Sequence, residues 1–298
     1  PGPPRVRWTG AGPAAALRRG PVASIRAAAD RTAGPQQPPA ADRSRRGSAP
    51  GRALQGTNRT PRPTLVAAAA QALEDGGWPT AVLSLDDLYR TRSERQQLAA
   101  QVHPLFATRG VPGTHDIALG LAVIAALERG DAAALPRFDK AADDRAVERD
   151  WPVAAAGTRV LLLEGWCLGA RPQDGPALAA PVNALEAHED AAGIWRGHAN
   201  TALARDYQQL FARLDALVLL AAPGWEVVAD WREQQEAELR ARSGLDAAGV
   251  MSPGQVARFI CHYERLTRHI LAEMPPRADL LVRLGAGREV LEIVATTD

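Results

Sequence analysis

RVLLLEGWCLG, residues 159–169, is the stretch that decides the fold. Four consecutive apolar residues, 160–163, run directly into Glu164 and Gly165. A short apolar run without alternation is typical of a central strand of a parallel sheet, which is buried on both faces. Glu164 would then lie at the C-terminal edge of that strand, where open α/β sheets bind their ligands. The stretch therefore predicts a buried strand with a carboxylate at the ligand-binding edge, although an ordinary loop glutamate would fit the same pattern.

The composition is that of a globular chain that can bury a sizeable core. The chain has 298 residues and is 46% hydrophobic, enough for one large domain or two small ones. Two cysteines, Cys167 and Cys261, give neither a disulfide framework nor zinc-ligand spacing, which predicts a cytoplasmic protein. No apolar run reaches the 18 residues of a membrane span, so we expect no membrane partner.

The net charge of +1 conceals two different segments. Residues 1–62 carry 12 arginines and two acidic residues, whereas the remainder carries 23 basic and 32 acidic residues. The first segment is rich in Pro, Ala, Gly and Arg and has no sustained period, which predicts a disordered or aberrant basic segment. A nucleic-acid-binding tail, an organellar transit peptide and an out-of-frame translation would each explain it, and we favour the last.

From Thr64 onward, helical and strand patterns alternate. The patterns predict helices over residues 64–77, 93–102 (with Ser93 as its cap), 117–129, 194–214, 225–242 and 253–274 (with Ser252 as its cap). They predict strands over 80–85, 160–163, 216–223, 278–284 and, more briefly, 289–294. The stretches 109–116, 135–145 and 169–190 are expected to be loops. This alternation predicts an α/β fold over residues 63–298, with three α/β/α layers and a mostly parallel sheet.

Five motifs follow one another along this pattern. They are SLDDLY (Ser84–Tyr89), RGVPGTHD (Arg109–Asp116), PRFDK followed by DDR (Pro136–Lys140 and Asp143–Arg145), LLLEGWCLG (Leu161–Gly169) and WREQQE (Trp231–Glu236). Together they resemble the D-glycerate 3-kinase family of P-loop kinases, relatives of phosphoribulokinase and uridine kinase. The motifs come in the family's order and cover roughly residues 64–295. The resemblance implies a P-loop NTPase fold and a kinase that uses ATP and Mg²⁺ to convert D-glycerate to 3-phosphoglycerate.

The phosphate-binding loop departs from the family pattern. Such kinases carry GxxxxGK[ST] before the first helix, where backbone N–H groups and the lysine hold the phosphates. This chain reads GTNRTPRPT: Gly56 matches the first glycine, Thr64 starts the helix, and Pro61, Arg62 and Pro63 replace the second glycine, the lysine and the hydroxyl residue. Proline has no N–H to donate and fixes φ, and a guanidinium is larger and planar. The nucleotide contacts implied for Gly56, Arg62 and Thr64 are therefore expected to be weak.

Three explanations fit this loop: a shifted reading frame before about Thr64, a degenerate pseudokinase, and an unusual working loop. We favour the frameshift because the spacing survives while the chemistry is lost, and because the upstream residues lack both pattern and the expected preceding strand.

The resemblance also implies roles for acidic residues and for one arginine. Asp86 is the candidate general base or Mg²⁺-linked acid, and its neighbour Asp87 could exchange roles with it and contact the nucleotide. Glu164 stands in the place of the Walker B acid that binds Mg²⁺, and Arg232 would stabilise the transferring phosphoryl group from a lid helix. The alternatives are structural, since the Asp pair can cap a helix and Arg232 can pair with charges on its own helix face.

Further residues are implied to bind the substrate, a glycerate-like hydroxy acid. His115 and Asp116 would line its pocket, and Arg137 and Lys140, which flank Asp139, would pair with its carboxylate. A histidine in a loop is otherwise usually solvated or satisfied, and residues 136–140 could be a solvated charge run.

Two other functions remain open at this point: a kinase of another small hydroxylated metabolite, and a catalytically dead pseudokinase that binds a metabolite or partner through the nucleotide fold. Basic residues do not interleave the tryptophans, which argues against nucleic acid as a partner of the globular part. A nucleic-acid-binding arm in residues 1–62 is a third possibility.

Overall fold

A computed structural model describes residues 61–243 and 251–295, except for the side chains of residues 61–64, 239, 240, 242 and 243. Residues 1–60 lie outside this description, so the predicted character of segment 1–62 and the predicted boundary after it stay predictions. Neither Cys167, which is buried, nor Cys261, which is half-buried, forms a disulfide bond. Within the described ranges, no helix combines the length and apolar character needed to span a bilayer.

Helices and strands alternate along the described chain, as the sequence predicts. The helices are α1 (Pro61–Asp75), α2 (Arg92–Gln101), α3 (Ile117–Glu128), α4 (Gly175–Ala179), α5 (Ala184–Glu189), α6 (Ile194–Ala202), α7 (Gln208–Phe211), α8 (Trp225–Ser243) and α9 (Pro253–Glu273). The strands are β1 (Thr80–Ser84), β2 (Ala133–Ala134), β3 (Phe138–Asp139), β4 (Asp144–Arg145), β5 (Val153–Ala154), β6 (Val160–Glu164), β7 (Val218–Ala221), β8 (Leu280–Leu284) and β9 (Val290–Ala295).

Parallel pairing dominates among the longer strands. Strand β1 pairs with β6, and β7 pairs with β8, both in parallel, while β9 is antiparallel to β8. One hydrophobic core joins both groups, because Leu83, Leu163, Leu219 and Leu281, one from each of the four parallel strands, belong to the same cluster. The predicted α/β fold with a mostly parallel sheet is confirmed.

The prediction that residues 160–163 are buried on both faces is wrong. All five residues of β6 are half-buried, although Leu161 and Leu163 pack against the core. Among the described residues, β6 is paired along one edge only, by β1. An apolar run identifies a strand, but it does not specify how many neighbouring strands and helices cover that strand.

Helix α2 begins one residue earlier than predicted, and its cap is Thr91 rather than Ser93. The Thr91 hydroxyl accepts the Glu94 N–H at 3.3 Å, and the Glu94 carboxylate accepts the Thr91 N–H at 2.7 Å. This reciprocal capping box gives hydrogen-bond partners to two backbone N–H groups that have none within the first helical turn. At α9 the predicted cap Ser252 is confirmed.

The predicted helix 194–214 is interrupted. Helix α6 passes into a π-helical segment, Leu203–Tyr207, before α7 begins. The side-chain amide of Gln208 donates to the Leu203 carbonyl at 3.0 Å and to the Ala170 carbonyl at 3.0 Å. The Gln208 side chain thus forms a hydrogen bond with the backbone carbonyl of Leu203, the residue at which the α-helix passes into the π-helical segment.

Two of the expected loops contain regular structure. Residues 135–145 include the β3–β4 hairpin, with Phe138 buried, and residues 169–190 include α4 and α5. These elements are too short to produce a readable period. Long-range partners hold them, as α4 and the residue after it show: Arg265 donates to the carbonyls of Ala177 at 2.7 Å and Ala180 at 2.6 Å.

A buried ion pair attaches α5 to α9. The Arg265 guanidinium donates to both carboxylate oxygens of Glu186, at 2.8 and 2.6 Å, and the Glu186 side chain is fully buried. Glu189, on the same helix, makes a comparable pair with Arg258, but there both side chains are exposed.

We expect Glu186→Gln to lower the free energy of unfolding by about 3–5 kcal/mol, because it leaves the buried Arg265 charge uncompensated. Glu189→Gln is the matched control and should cost about 0–1 kcal/mol, because water screens an exposed pair. Urea unfolding of both variants measures the difference. Equal losses of stability would contradict the importance given to the buried pair.

Candidate active site

The candidate site lies at the C-terminal ends of β1 and β6. In the parallel register Ser84 pairs with Glu164, so the chain leaves both strands at one edge of the sheet. A 3₁₀ turn, Leu85–Leu88, follows β1, and the Ser84 hydroxyl accepts the Asp86 N–H at 3.2 Å. This turn presents Asp86 and Asp87 close to the Glu164 strand end, so the three predicted acids share one edge.

Both oxygens of Asp86 are bonded. Oδ2 accepts from the Lys140 ammonium at 2.9 Å, and Oδ1 accepts from the Tyr89 hydroxyl at 2.8 Å. Burial alone would raise the pKa of Asp86, but Lys140 and Tyr89 favour the carboxylate and hold its pKa below the usual value. The predicted base is therefore ionised, as a proton acceptor must be.

Asp87 attaches the hairpin to the sheet edge. Its Oδ1 accepts the Phe138 N–H at 3.0 Å, and its Oδ2 accepts from Arg137 at 3.3 Å. Burial raises the pKa of Asp87, and the Phe138 and Arg137 bonds only partly offset that effect. Arg137 and Lys140, both predicted to bind a substrate carboxylate, are thus paired with Asp87 and Asp86.

Arg95 holds the far side of the hairpin, a role that the sequence did not indicate. This side chain is 1% exposed, and it donates to the carbonyls of Ala107 at 2.9 Å and Asp143 at 2.7 Å. It also pairs with the Asp143 carboxylate at 3.0 Å, which Arg109 contacts as well. Asp143 has φ of 54°, a left-handed conformation that is costly for a residue with a side chain, so these bonds stabilise an unusual turn.

His115 is buried within a chain of aromatic side chains. Its ring is 2% exposed and stacks on Tyr89 with centroids 4.7 Å apart, and its Nδ1 lies 2.5 Å from the Tyr207 hydroxyl. Burial lowers the pKa of His115 to about 4, with Asp86 acting in the opposite direction, so the imidazole is neutral at physiological pH. Tyr89 therefore connects His115 to Asp86.

Tyr263 fixes the start of the loop that carries His115. Its hydroxyl donates to the Arg109 carbonyl at 3.0 Å, and its ring meets Trp166 edge-on with centroids 4.9 Å apart. Gly110 has φ of 127°, and a Cβ at this position would overlap the Tyr263 hydroxyl. Only glycine fits both the conformation and the close approach.

Comparison with known proteins gives two relatives of this chain. No family model matches the chain. The uncharacterized kinase mug58 of Schizosaccharomyces pombe is 34% identical over 190 residues, which are 60% of this chain and 66% of that protein. The chloroplastic D-glycerate 3-kinase of Arabidopsis thaliana is 28% identical over 221 residues, 71% of this chain and 44% of that protein. The chain thus spans just under two thirds of the first relative and less than half of the second.

Solved structures agree with the fold. The D-glycerate 3-kinase of Cryptococcus neoformans superposes with a TM-score of 0.64 and 25% identity, covering 78% of this chain and 85% of that one. The chain is similar to the D-glycerate 3-kinase-like kinases, and its fold is that of P-loop kinases. The YGR205w protein, at 22% identity, supports the fold alone, with a TM-score of 0.62 over 80% of this chain and 86% of that one.

Arg232 bonds residues of its own helix. Its guanidinium donates to Gln235 at 2.8 Å and to the buried carboxylate of Glu236 at 2.5 Å, and it lies over the Phe259 ring, 5.3 Å from the centroid. These are the intrahelical pairs that the sequence offered as the alternative for Arg232. The structure does not bring Arg232 into contact with Asp86 or Glu164, and its predicted role stays a prediction.

Two acids that are predicted to bind the substrate, Asp116 and Asp139, accept hydrogen bonds from groups of the protein itself. Asp116 caps α3, accepting the Leu119 N–H at 3.0 Å, and its other oxygen accepts from Arg145 at 3.1 Å. Asp139 accepts the N–H groups of Ala141 at 2.8 Å and Ala142 at 3.1 Å, which forms the tip of the hairpin. Their predicted contacts with substrate remain predictions.

Three residues predicted to contact the nucleotide, Gly56, Arg62 and Thr64, lie outside the described residues or at their edge. Gly56 lies outside the described residues. Arg62 and Thr64 lie in the first turn of α1, and their side chains are outside the description.

The acids at this edge suit a magnesium ion. Within the described ranges, no three His, Cys, Asp or Glu side chains are grouped as a metal site. Mg²⁺ in kinases needs only one or two carboxylates, because nucleotide phosphates and water supply its other ligands. Glu164 and Asp86, at neighbouring strand ends, provide such a pair.

The low pKa of His115 predicts a loss of stability in acid. Because His115 titrates at about 4 when folded and near 6.5 when unfolded, the unfolded chain binds more protons between these values. The free energy of unfolding should therefore fall as the pH falls from 6.5 towards 4, by roughly 3 kcal/mol from this group.

Denaturant unfolding at several pH values measures that slope. His115→Gln should flatten it, whereas His188→Gln, at an exposed position, should leave it unchanged. An unchanged slope in His115→Gln would contradict the assignment of a neutral, buried imidazole.

Proposed function

We propose that this chain is an ATP-dependent kinase that phosphorylates D-glycerate to 3-phosphoglycerate. One observation carries the proposal: at the C-terminal edge of β1, Lys140 and Arg137 of the hairpin are opposed to Asp86 and Asp87. A hydroxy acid needs a proton acceptor for its hydroxyl and cations for its carboxylate, and this arrangement supplies both within one turn and one hairpin. The names of the Arabidopsis and Cryptococcus relatives support D-glycerate as the acid.

The reaction follows from these groups. The substrate hydroxyl oxygen attacks the γ-phosphorus of ATP, the new O–P bond forms, and the bond from the γ-phosphorus to the bridging oxygen breaks, which releases ADP. Asp86 accepts the hydroxyl proton. Because Lys140 occupies Oδ2 of Asp86, a substrate carboxylate that attracts Lys140 would free this oxygen as it binds.

The remaining roles are proposed from the family pattern. Glu164 and Asp86 would hold Mg²⁺, which neutralises charge on the phosphates when bound. Asp87 would lie beside the nucleotide. Arg232 would have to exchange Glu236 for the phosphoryl oxygens before it could stabilise their charge.

We further propose that activity is impaired in this chain, because GTNRTPRPT lacks the second glycine and the lysine of the phosphate-binding loop. That loop favours a second candidate function, a catalytically inactive nucleotide-fold protein that binds a metabolite. A kinase for another small hydroxylated metabolite would use the same charged groups. A cytoplasmic location, suggested by the cysteine content, stays a prediction.

A coupled assay of ADP release with D-glycerate tests the function and the impairment together. It compares this chain with a variant that carries Pro61→Gly, Arg62→Lys and Pro63→Ser behind an apolar upstream strand. We expect only the repaired chain to turn over, since it regains the phosphate-binding N–H groups and the ammonium. Absence of turnover in both would contradict D-glycerate as substrate, and equal turnover would contradict the impairment.

In the repaired chain, Lys140→Met should lower kcat/KM for D-glycerate by about 10- to 100-fold. A hydrogen bond to a charged group contributes about 1.5–3 kcal/mol, and the methionine cannot form one with the substrate carboxylate. Arg129→Met, which removes an exposed cation at the end of α3, is the control and should have no effect. A Lys140→Met variant with full activity would remove Lys140 from the mechanism.

A further inference from the structure

The π-helical segment places the buried hydroxyl of Tyr207 between the Gly113 N–H and the His115 ring, both in the 109–116 loop. Tyr207 is the last residue of the segment and is 1% exposed. Its hydroxyl oxygen accepts the Gly113 N–H at 3.0 Å and lies 2.5 Å from Nδ1 of His115. π-Helical turns occur frequently at functional sites, where they shift a side chain away from the α-helical position.

These contacts decide which nitrogen of His115 carries the proton. A tyrosine hydroxyl has a single proton to donate, and a buried hydroxyl that cannot donate is costly. Since Gly113 already donates to the hydroxyl oxygen, the hydroxyl proton goes to Nδ1 of His115, which must therefore be the acceptor. The proton of the neutral ring is then on Nε2.

The Nε2 proton is available to a ligand. Among the described residues, no group forms a hydrogen bond with Nε2 of His115, and Nε2 is not among the fully buried atoms that lack a partner. Tyr89 lies between His115 and the proposed base, with its ring stacked on the imidazole and its hydroxyl bonded to Asp86. His115 is thus one side chain away from the group proposed to take the substrate proton.

We propose that Tyr207 is a positioning residue that holds His115 as its Nε2–H tautomer, so that the imidazole donates a hydrogen bond to an oxygen of the bound hydroxy acid. The substrate part of this proposal rests on the proposed function. The tautomer part does not, because it follows from the contacts of Tyr207 within the chain.

The chain offers a matched control for Tyr207. Tyr263 is a half-buried tyrosine whose hydroxyl also holds the 109–116 loop, through the Arg109 carbonyl, and among the described residues no hydrogen bond or ring contact joins it to His115. Tyr207→Phe and Tyr263→Phe each remove one loop-holding hydroxyl and keep the ring. A purely structural role for Tyr207 would make the two variants behave alike.

Nitrogen NMR of the full chain labelled with ¹⁵N-histidine tests the tautomer directly, with the His115 signals assigned by their loss in His115→Gln. The expected wild-type spectrum has a protonated Nε2 and an unprotonated Nδ1, the pattern persists in Tyr263→Phe, and Tyr207→Phe gives a mixture of tautomers. A protonated Nδ1 in the wild type, or an unchanged pattern in Tyr207→Phe, would overturn the proposal.

Titration with D-glycerate tests the ligand, with glycerol as the analogue without a carboxylate. D-glycerate should shift the Nε2 signal, and its dissociation constant should rise about fivefold in Tyr207→Phe but not in Tyr263→Phe, since one hydrogen bond is weakened. If the tautomer is as expected and D-glycerate leaves the signal unmoved, the substrate part of this proposal is overturned while the positioning by Tyr207 stands, and turnover of D-glycerate by the repaired chain decides the proposed function separately. If D-glycerate shifts the signal equally in all three proteins, with equal affinity, the positioning role is overturned and the proposed function stands.

Discussion

The parallel pairing of β1 with β6 in one register is the constraint on which the candidate site depends. It sets Ser84 beside Glu164 and so puts the turn with Asp86 and Asp87 beyond the same edge as Glu164. A slip of one residue would turn every side chain of a strand to the opposite face. Arg159 stabilises the register where both strands begin, because its N–H donates to the Pro79 carbonyl at 2.8 Å and its guanidinium stacks on Trp78.

Acids gathered at one edge require compensation, and the hairpin provides it. A partly buried carboxylate is unfavourable unless it is paired or hydrogen-bonded, and Lys140 and Arg137 satisfy Asp86 and Asp87 in this way. The hairpin in turn requires support for the left-handed Asp143, which Arg95 supplies from a fully buried position. The strand register therefore determines where the acids lie, the acids require the hairpin, and the hairpin in turn requires the buried Arg95.

Helices and strands with a sustained apolar pattern could be predicted from the sequence. Elements that depend on hydrogen bonds to residues distant in the chain could not. Strands β1 and β8 and helix α9 follow local apolar patterns, whereas the hairpin depends on bonds across the chain, such as Phe138 to Asp87, 51 residues apart. The motifs identified Asp86 and Lys140 separately, but nothing local shows that they pair across 54 residues. Tyr207 lies within an apparently continuous helical pattern, and its contact with His115 arises only from the π-helical interruption and the fold.

Lys140 is the only lysine of the chain, and all other basic side chains are arginines. The only side-chain amine of the protein therefore lies 2.9 Å from Asp86. Acetylation, protein conjugation or amine crosslinking at a lysine would take place at this position and nowhere else along the chain. Acetylation would remove the charge that Asp86 faces, because an acetylated lysine is neutral. The arginine-rich surface, in contrast, offers such chemistry no lysine at all.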